Sequence, residues 1–301
     1  MQTARRSLDA MLAWLALTLI GGCGAHSPYD ASWVSSEIAK SAGHDVPVRD
    51  VSTEGARVTP SLPPAVANAA ALSEDEAVSV ALWNSAPFRA DLAQLGFARA
   101  DLDDAAAIPN PNLSFLLPMS TRQVELSVLY PVSTLLQRSW RIASAKYDVE
   151  RAARSLVQNG LDVIRDVRIA WADLEASERR KKLRERIDRL MRESSAIALR
   201  RFESGDTSLL EADLVKAESL AATELAERAA REEKLARVRL RLVLGLAESA
   251  LGADIGTRTT EPLPTALPAL VELERAALGS RPDVRAAEMG IEAASERLGL
   301  E

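Results

Sequence analysis

Cys23 is the residue of this 301-residue chain whose surroundings point most clearly to a chemical reaction, because it is the only cysteine and follows a short apolar run. Arg5 and Arg6 precede that run, which covers residues 10–20 and is shorter than the roughly 20 residues that span a bilayer. A basic start, a short apolar core and small residues before the cysteine are typical of a secretory signal, predicted over residues 1–22. A single cysteine cannot form an internal disulfide, and at this position it favours an anchor over a core residue.

The segment Ile20-Gly21-Gly22-Cys23 resembles a bacterial lipobox, whose cysteine is lipidated and becomes the first mature residue. The resemblance implies a diacylglyceryl thioether on Cys23 and an acylated amino group, with palmitate as an expected acyl chain. Several buried acyl chains make a firm anchor, whereas one alone binds only marginally. Gly24 follows the cysteine, and by the usual bacterial sorting rule the lack of Asp there favours the outer membrane.

Composition argues against several functional classes. The formal net charge of −6 and the pI near 5.3 argue against nucleic-acid binding, which would show a basic face. The two histidines, His26 and His44, lie in the polar segment after Cys23, so a histidine-based metal site is not expected. No phosphate-binding, zinc-protease or nucleophile-elbow motif occurs. We therefore predict no enzymatic activity, no catalytic residue, no cofactor and no metal.

Two segments that lie far apart in the sequence resemble each other. Residues 268–300 repeat features of residues 72–105 at an offset of 196, matching Glu76 with Glu272 and Leu82 with Leu278. Such a period predicts a duplicated structural unit. The alternative is a chance match between two alanine-rich helices. On the duplication hypothesis, the chain stops one helix into its second copy.

The first half of the chain is divided by helix breakers. Residues 24–71 lack sustained periodicity, so an irregular tether is predicted over residues 23–71. Ser73 and Glu76 form the capping-box pattern S-x-x-E, which starts a helix near residue 74. Helical structure is predicted over residues 74–107, where Ile108-Pro109-Asn110-Pro111 stops it.

Two short strands follow, over Asn112–Leu117 and Arg122–Tyr130, and predict a β-hairpin within residues 112–130. The second strand alternates apolar and polar residues, which is typical of a half-buried strand. Membrane strands show the same alternation, but they need about 9–11 residues and the first run is shorter. A soluble hairpin remains open. The candidate membrane-facing residues are Val124, Leu126, Val128 and Tyr130.

A very long helix is predicted over residues 133–203; at 1.5 Å per residue, some 60 of these residues make a rod about 90 Å long. Apolar residues recur at seven-residue and three- or four-residue steps, which is typical of a coiled-coil seam. Gly160 interrupts the helix at a cost of roughly 1 kcal/mol relative to Ala. The predicted seam contains Ile142, Val149, Leu156, Val163, Val167, Trp171, Leu174, Leu183, Ile187, Leu190 and Ile197.

The turn Ser204-Gly205-Asp206-Thr207-Ser208 ends this helix, with Gly205 suited to the left-handed conformation. A second helix is predicted over residues 207–247, folding back as an antiparallel hairpin. The charge run Glu178–Arg192 is interpreted as a solvated face, and residues 252–268 as a linker. The predicted seam of the second helix contains Leu214, Ala217, Ala221, Leu225, Leu235, Val238, Leu242 and Leu246.

This order of elements resembles the TolC family of outer-membrane efflux proteins, in its lipoprotein branch, over about residues 72–301. Three segments carry the resemblance: Pro109-Asn110-Pro111-Asn112-Leu113, Arg201-Phe202-Glu203-Ser204-Gly205-Asp206 and Arg281-Pro282-Asp283-Val284-Arg285-Ala286-Ala287. The implied fold is mainly α, with a long antiparallel coiled-coil hairpin and a short two-stranded β-hairpin. It corresponds to the first half of a β-barrel and α-barrel protomer.

The resemblance implies a homotrimer in the outer membrane with a periplasmic helical tunnel. An inner-membrane pump and a periplasmic adaptor hand substrates to this passive conduit. The turn at residues 204–208 corresponds to the periplasmic tip, where the family docks adaptor hairpins; an ordinary hairpin turn is the alternative.

One departure from the family pattern is the length. Residues 72–251 correspond to the first repeat and residues 269–301 to the start of a second, so the chain is predicted to be truncated. An open sheet edge cannot lie in lipid, so this chain alone is not expected to form a working duct.

Two other functional classes were weighed. A periplasmic adaptor can also be lipid-anchored with a helical hairpin, but Gly- and Val-rich strands would flank that hairpin. A structural envelope lipoprotein would not need the strand pair at residues 112–130. The channel subunit fits the sequence best.

Overall fold

A computed structural model describes residues 25–43, 60–64, 66, 71–110, 112–116, 125–129, 131–246, 256–257 and 268–299. The predicted signal, Cys23, Val124, Tyr130 and much of the predicted tether and linker lie outside the described residues. The elements in chain order are α1 (Ala31–Ala42), β1 (Ala71–Leu72), α2 (Glu74–Asn84), α3 (Ala86–Ala106), β2 (Asn112–Leu116), β3 (Glu125–Leu129), α4 (Val132–Leu136), α5 (Arg138–Glu203), α6 (Leu209–Val243), β4 (Gly256–Thr257), α7 (Leu270–Ser280) and α8 (Pro282–Leu298).

This element order confirms the predicted fold class, which is mainly helical with a long helix pair and a short β-hairpin. The chain divides into two compact units. The first comprises Met1–Val34, Asp91–Gln158 and Leu270–Glu301, and the second comprises Ser35–Ala90 and Asn159–Ala269. None of the helices in the described ranges is long and apolar enough to cross a membrane.

In the first unit, β2 and β3 pair antiparallel, with a register that runs from Asn112 opposite Leu129 to Leu116 opposite Glu125. The predicted hairpin is therefore present with shorter strands. The guanidinium of Arg138 donates two hydrogen bonds, of 3.0 and 2.7 Å, to the carbonyl of Ala106. Those bonds satisfy a carbonyl at the end of α3 that has no partner within its own helix.

Also in the first unit, α8 packs on the early turns of α5. Ala286 and Ala293 are buried, and the hydroxyl of Ser144 donates a 3.2 Å hydrogen bond to the carbonyl of Ala293. Arg297 forms an ion pair with Asp148. Small residues on α8 let the two helices approach closely.

In the second unit, α2 begins with the predicted capping box. The Glu76 amide donates to the Ser73 hydroxyl at 3.3 Å, and the Ser73 amide donates to the Glu76 carboxylate at 2.6 Å. The Asn84 amide donates a 3.3 Å hydrogen bond to the carbonyl of Leu244, just beyond the end of α6. Strands β1 and β4 pair in parallel, with Ala71 opposite Gly256.

Helix α1 corrects the prediction that residues 24–71 are irregular. The Trp33 amide donates a 2.8 Å hydrogen bond to the Asp30 carboxylate, which caps the start of this helix. Ile38 is 0% exposed, and a Cβ added to Gly160 would lie 2.5 Å from its Cδ1 atom. Gly160 therefore permits a close helix approach, whereas the sequence suggested only a weak point in α5.

The predicted duplication is reflected in the helix bounds. Helix α7 (270–280) lies 196 residues after α2 (74–84), and α8 begins 196 residues after α3. Burial differs between the copies: Leu82 is 1% exposed, whereas its equivalent Leu278 is 71% exposed. The two helix pairs thus match in sequence and in where their helices begin, but not in their packing.

Candidate functional site

The turn between α5 and α6 is closed by backbone and side-chain hydrogen bonds. Gly205 has a φ of +82°, the left-handed conformation predicted for it. Its amide donates to the Phe202 carbonyl at 2.9 Å, and the Asp206 amide donates to the Arg201 carbonyl at 2.8 Å. These bonds satisfy the carbonyls at the end of α5 and fix the turn as a defined shape.

Helix α6 begins at a second capping box. The Glu211 amide donates to the Ser208 hydroxyl at 3.3 Å, and the Ser208 amide donates to the Glu211 carboxylate at 3.2 Å. The Ser204 hydroxyl contacts the Asp206 carboxylate at 3.2 Å. The predicted tip residues are therefore brought together, and all except the half-buried Thr207 are exposed.

Apolar side chains surround this polar turn. Phe202 is 36% exposed, Leu209 is 56% exposed and Leu210 is 69% exposed. A groove of about 390 Å³ beside the turn is lined by residues that include Ile197, Ala198, Arg201, Asp206, Thr207 and Val215. Exposed apolar side chains therefore flank the polar turn.

Interhelical pairs show that α5 and α6 run antiparallel, as predicted. The Thr223 hydroxyl donates to the Asp188 carboxylate at 2.6 Å, whereas Arg237, farther along α6, pairs with Glu178, earlier on α5, at 3.0 Å. The pKa of Asp188 is lowered overall. The hydrogen bond from Thr223 is the main cause, and together with Arg192 it outweighs burial, which raises that pKa.

Burial agrees with the predicted seam of α5 mainly in its first part, where Ile142 and Val163 are half-buried. Val149, Leu156, Val167, Trp171 and Leu174 are buried. Farther along, Leu183, Leu190 and Ile197 are 57, 54 and 51% exposed, so these three were wrongly predicted to lie in the seam.

The predicted seam of α6 is largely wrong. Leu214, Leu225, Leu235, Val238 and Leu242 are 38–65% exposed, Ala217 and Ala221 are also exposed, and only Leu246 is buried as expected. The buried residues of this helix are instead Ala212, Ser219, Ala222, Ala226, Ala229, Glu233, Ala236 and Leu240. They recur at seven-residue spacing with a second set three residues later, which is a coiled-coil seam built of small residues. Small seam residues let the two helices approach closely and push the larger leucines outward.

Charged groups enter this seam, which corrects the view of Glu178–Arg192 as a purely solvated face. Glu233 is 5% exposed and pairs with Arg237 at 2.6 Å and with Lys181 at 3.5 Å. Burial raises the pKa of Glu233, but the hydrogen bond and charge of Arg237 together with Lys181 outweigh it and lower that pKa overall.

Six exposed aliphatic residues, three on each helix, share one side of the hairpin, whereas Leu199 and Leu220 are exposed elsewhere on the two helices. On α5 the three residues lie two positions after Lys181, Asp188 and Ser195, and on α6 they lie two positions after the seam residues Ala212, Glu233 and Leu240. Equal heptad positions on two antiparallel helices face the same side. The Arg180–Glu232 ion pair, 3.2 Å apart, marks that side, and the Glu178–Arg237 pair marks the opposite one. We call this surface the apolar side; it comprises Leu183, Leu190, Ile197, Leu214, Leu235 and Leu242.

Only some of the other predicted site residues lie among the residues that the structure describes. Leu126 and Val128 lie in β3 and pair with Phe115 and Leu113 through the backbone. Val124, Tyr130 and the predicted lipidation residue Cys23 fall outside the described residues. Within the ranges that the structure covers, no group of three or more His, Cys, Asp or Glu residues could hold a metal ion.

No family model and no curated protein sequence matches this chain. Solved structures do match. The outer-membrane channel OprN has a TM-score of 0.62 at 22% identity, covering 75% of this chain and 54% of that chain. A membrane protein from Pseudomonas aeruginosa has a TM-score of 0.61 at 21% identity, covering 85% and 63% respectively. The outer membrane protein VceC from Vibrio cholerae has a TM-score of 0.58 at 18% identity, covering 75% and 58%.

These likenesses establish the fold of the chain, and they confirm the predicted TolC-family resemblance at that level. At 18–22% identity these likenesses show the fold alone, so the absence of enzymatic activity stays a prediction. The chain spans between about half and two thirds of the length of the solved chains it matches.

Proposed function

We propose that this chain is a subunit of an outer-membrane channel through which an export system moves substrates out of the cell. The observation that carries the proposal is the antiparallel α5–α6 hairpin with an uncovered apolar side, in a fold shared with outer-membrane channels. The chain performs no reaction on its substrates; it forms part of the wall of a passive conduit.

The apolar side supplies the contact between copies. Its six aliphatic residues are 51–65% exposed in a single chain, although the small-residue seam between α5 and α6 is already closed. Burying such a row contributes about 1.5–3 kcal/mol per fully covered leucine. Packing of this surface against neighbouring copies would build part of a tunnel wall, and we propose a homotrimer as the arrangement; a complete working duct is not expected from this chain alone.

The tip at Ser204–Ser208 is the proposed docking site for a periplasmic adaptor, which would link the channel to an inner-membrane pump. Support comes from the fixed backbone of the turn and from the exposed Phe202, Leu209 and Leu210 beside it. An adaptor with a complementary helical hairpin would cover these side chains.

A photo-crosslinking residue at Asp206 tests the docking proposal in the native host. We expect an adduct with a periplasmic helical protein, and no adduct from the same residue at Glu224, which is also exposed and lies on α6. Equal capture at both positions, or none at Asp206, would contradict adaptor docking.

The proposed location is the outer membrane, with the helices in the periplasm. Cys23 is the proposed lipid anchor, and Val124, Leu126, Val128 and Tyr130 are the proposed lipid-facing residues of the β-hairpin. Metabolic labelling with palmitate tests the anchor: the label should be lost in Cys23→Ser and retained in Ser27→Ala. Undiminished label in Cys23→Ser would refute it.

A further inference from the structure

A pocket of about 510 Å³ lies in the second unit, between the elbow that joins α2 to α3, the middle of α5 and the end of α6. Its lining is largely apolar and includes Pro60, Pro87, Val163 and Val243, together with Leu242, which also belongs to the apolar side. Small-molecule sites in proteins occupy roughly 300–1,000 Å³, so the pocket has the size of a ligand site.

One side chain ties the walls of this pocket together. The side-chain amide of Asn84 donates a 3.3 Å hydrogen bond to the Leu244 carbonyl and accepts a 3.0 Å hydrogen bond from the Ser61 amide. Gly245 has a φ of +69°, and a Cβ added there would lie 2.8 Å from the Cβ atom of Asn84. The end of α2, the residues after α6 and the segment at residue 61 are therefore held close to one another, and the pocket exists before any ligand enters.

Arg89 brings a positive charge to the pocket and carries an unsatisfied donor. Its Nη1 atom is almost inaccessible to solvent and has no hydrogen-bond partner in the part of the chain that the structure describes. A guanidinium stays protonated in proteins, so loss of the proton does not relieve this burial. Most buried donors in folded proteins have a partner, and an exception points to a bound water or ion.

Asp166 also lines the pocket, but its carboxylate pairs with Arg165 at 2.9 Å and its side chain is 55% exposed. The Nη1 donor of Arg89 is thus left without an acceptor although a carboxylate is nearby. The planar fork of guanidinium donors matches the geometry of a carboxylate or a phosphate. An anion in the pocket would supply both the missing acceptor and the missing negative charge.

We infer that this pocket binds a small organic acid, whose carboxylate accepts hydrogen bonds from Arg89 and whose apolar body contacts Pro87, Val163 and Val243. The apolar lining favours such a ligand over a bare inorganic anion, which would lose its hydration there without gaining apolar contacts. The inference goes beyond the channel proposal and does not depend on it, because the pocket lies at the opposite end of α6 from the tip.

Isothermal titration calorimetry of the full-length chain in mild detergent tests this inference, with benzoate as the probe and benzamide as its uncharged counterpart. We expect benzamide to bind at least about tenfold more weakly than benzoate, because it offers Arg89 no charge. Arg89→Gln should weaken benzoate binding about tenfold or more. The matched control Arg186→Gln removes the same charge from an exposed position on α5 and should leave the affinity unchanged. Asp166→Asn removes a nearby negative charge and should strengthen benzoate binding about two- to threefold.

Three results would overturn the organic-acid site. Equal affinity for benzoate and benzamide would show that charge is not recognised, and equal affinity for benzoate and inorganic phosphate would show that the apolar lining is not used. The absence of measurable benzoate binding at millimolar concentration would remove the site altogether. Each of these results leaves the channel proposal intact.

The competing explanation is that Asp166 turns to Arg89 and satisfies it directly. In that case Arg89→Gln and Asp166→Asn would lower the melting temperature of the ligand-free chain equally, and combining them would lower it no further. Asp166→Asn would then leave benzoate binding absent rather than stronger. This pattern also overturns the organic-acid site, and the Asp166→Asn measurement remains decisive even if Arg89→Gln does not fold.

Discussion

Glu233 lies in the helix seam, where a coiled coil ordinarily has an apolar residue. Glu233 is only 5% exposed, and its carboxylate forms ion pairs with Arg237 on α6 and Lys181 on α5, which make this burial possible. The Arg237 guanidinium also pairs with Glu178. A buried carboxylate without such partners would cost several kcal/mol. Position 233 therefore links α5 to α6 through charge rather than through apolar contact.

The charge at Glu233 makes the hairpin sensitive to acid. Its folded pKa is lowered, so the carboxylate stabilises the fold fully above the unfolded pKa, and this contribution is lost as the pH falls through the folded pKa. We expect Glu233→Gln to destabilise the chain by about 2 kcal/mol at neutral pH and to reduce its acid sensitivity. Urea unfolding at neutral and acidic pH measures both effects.

Glu224→Gln is the matched control for that experiment. Glu224 pairs with Arg228 at 3.2 Å on the surface of the same helix, and its side chain is 67% exposed. Such a pair contributes about 0.5 kcal/mol or less. Equal losses from the two substitutions would show that the seam position of Glu233 has no energetic consequence.

At the scale of elements, sequence signals predicted where helices begin and end. Ser73 with Glu76 and Gly205 each act through local backbone chemistry, so the residues themselves carry the information. Helix α1 was missed because its core contact is distant in sequence: Ile38 packs on Gly160, and neither residue alone indicates the other.

The seam of α6 was mispredicted for a different physical reason. Two rows share the seven-residue period, one that contains the small residues Ser219 and Ala226 and one that contains Leu214, Leu235 and Leu242. Hydrophobicity favours the leucine row as the core of the hairpin. Helices that approach closely enough bury the alanine row instead, and the period does not distinguish the two.

Enlarging a buried alanine tests this assignment. Ala226→Leu should destabilise the hairpin by about 1–3 kcal/mol, because a well-packed contact has no room for extra methylenes. Leu235→Ala should change the unfolding free energy of the dispersed chain by no more than about 0.5 kcal/mol. Denaturant titrations at low protein concentration compare the two, and the reverse ranking would restore the leucine row as the seam.

At the scale of the whole molecule, the order of elements was predictable, whereas the partners of its surfaces were not. The motifs at residues 109–113, 201–206 and 281–287 indicated the fold that the solved channels share. The apolar side remained hidden, because exposure depends on packing geometry that spacing alone does not give. Its six residues are 51–65% exposed in a single copy.

Light scattering can measure the mass of the complex after its extraction from the native membrane in mild detergent. This mass tests whether copies of the chain associate to build the channel wall. We expect an assembly of three copies, reduced to single chains by Leu190→Gln combined with Leu235→Gln, two substitutions at exposed positions. A single-chain mass for the unsubstituted protein, or an assembly indifferent to both substitutions, would contradict it.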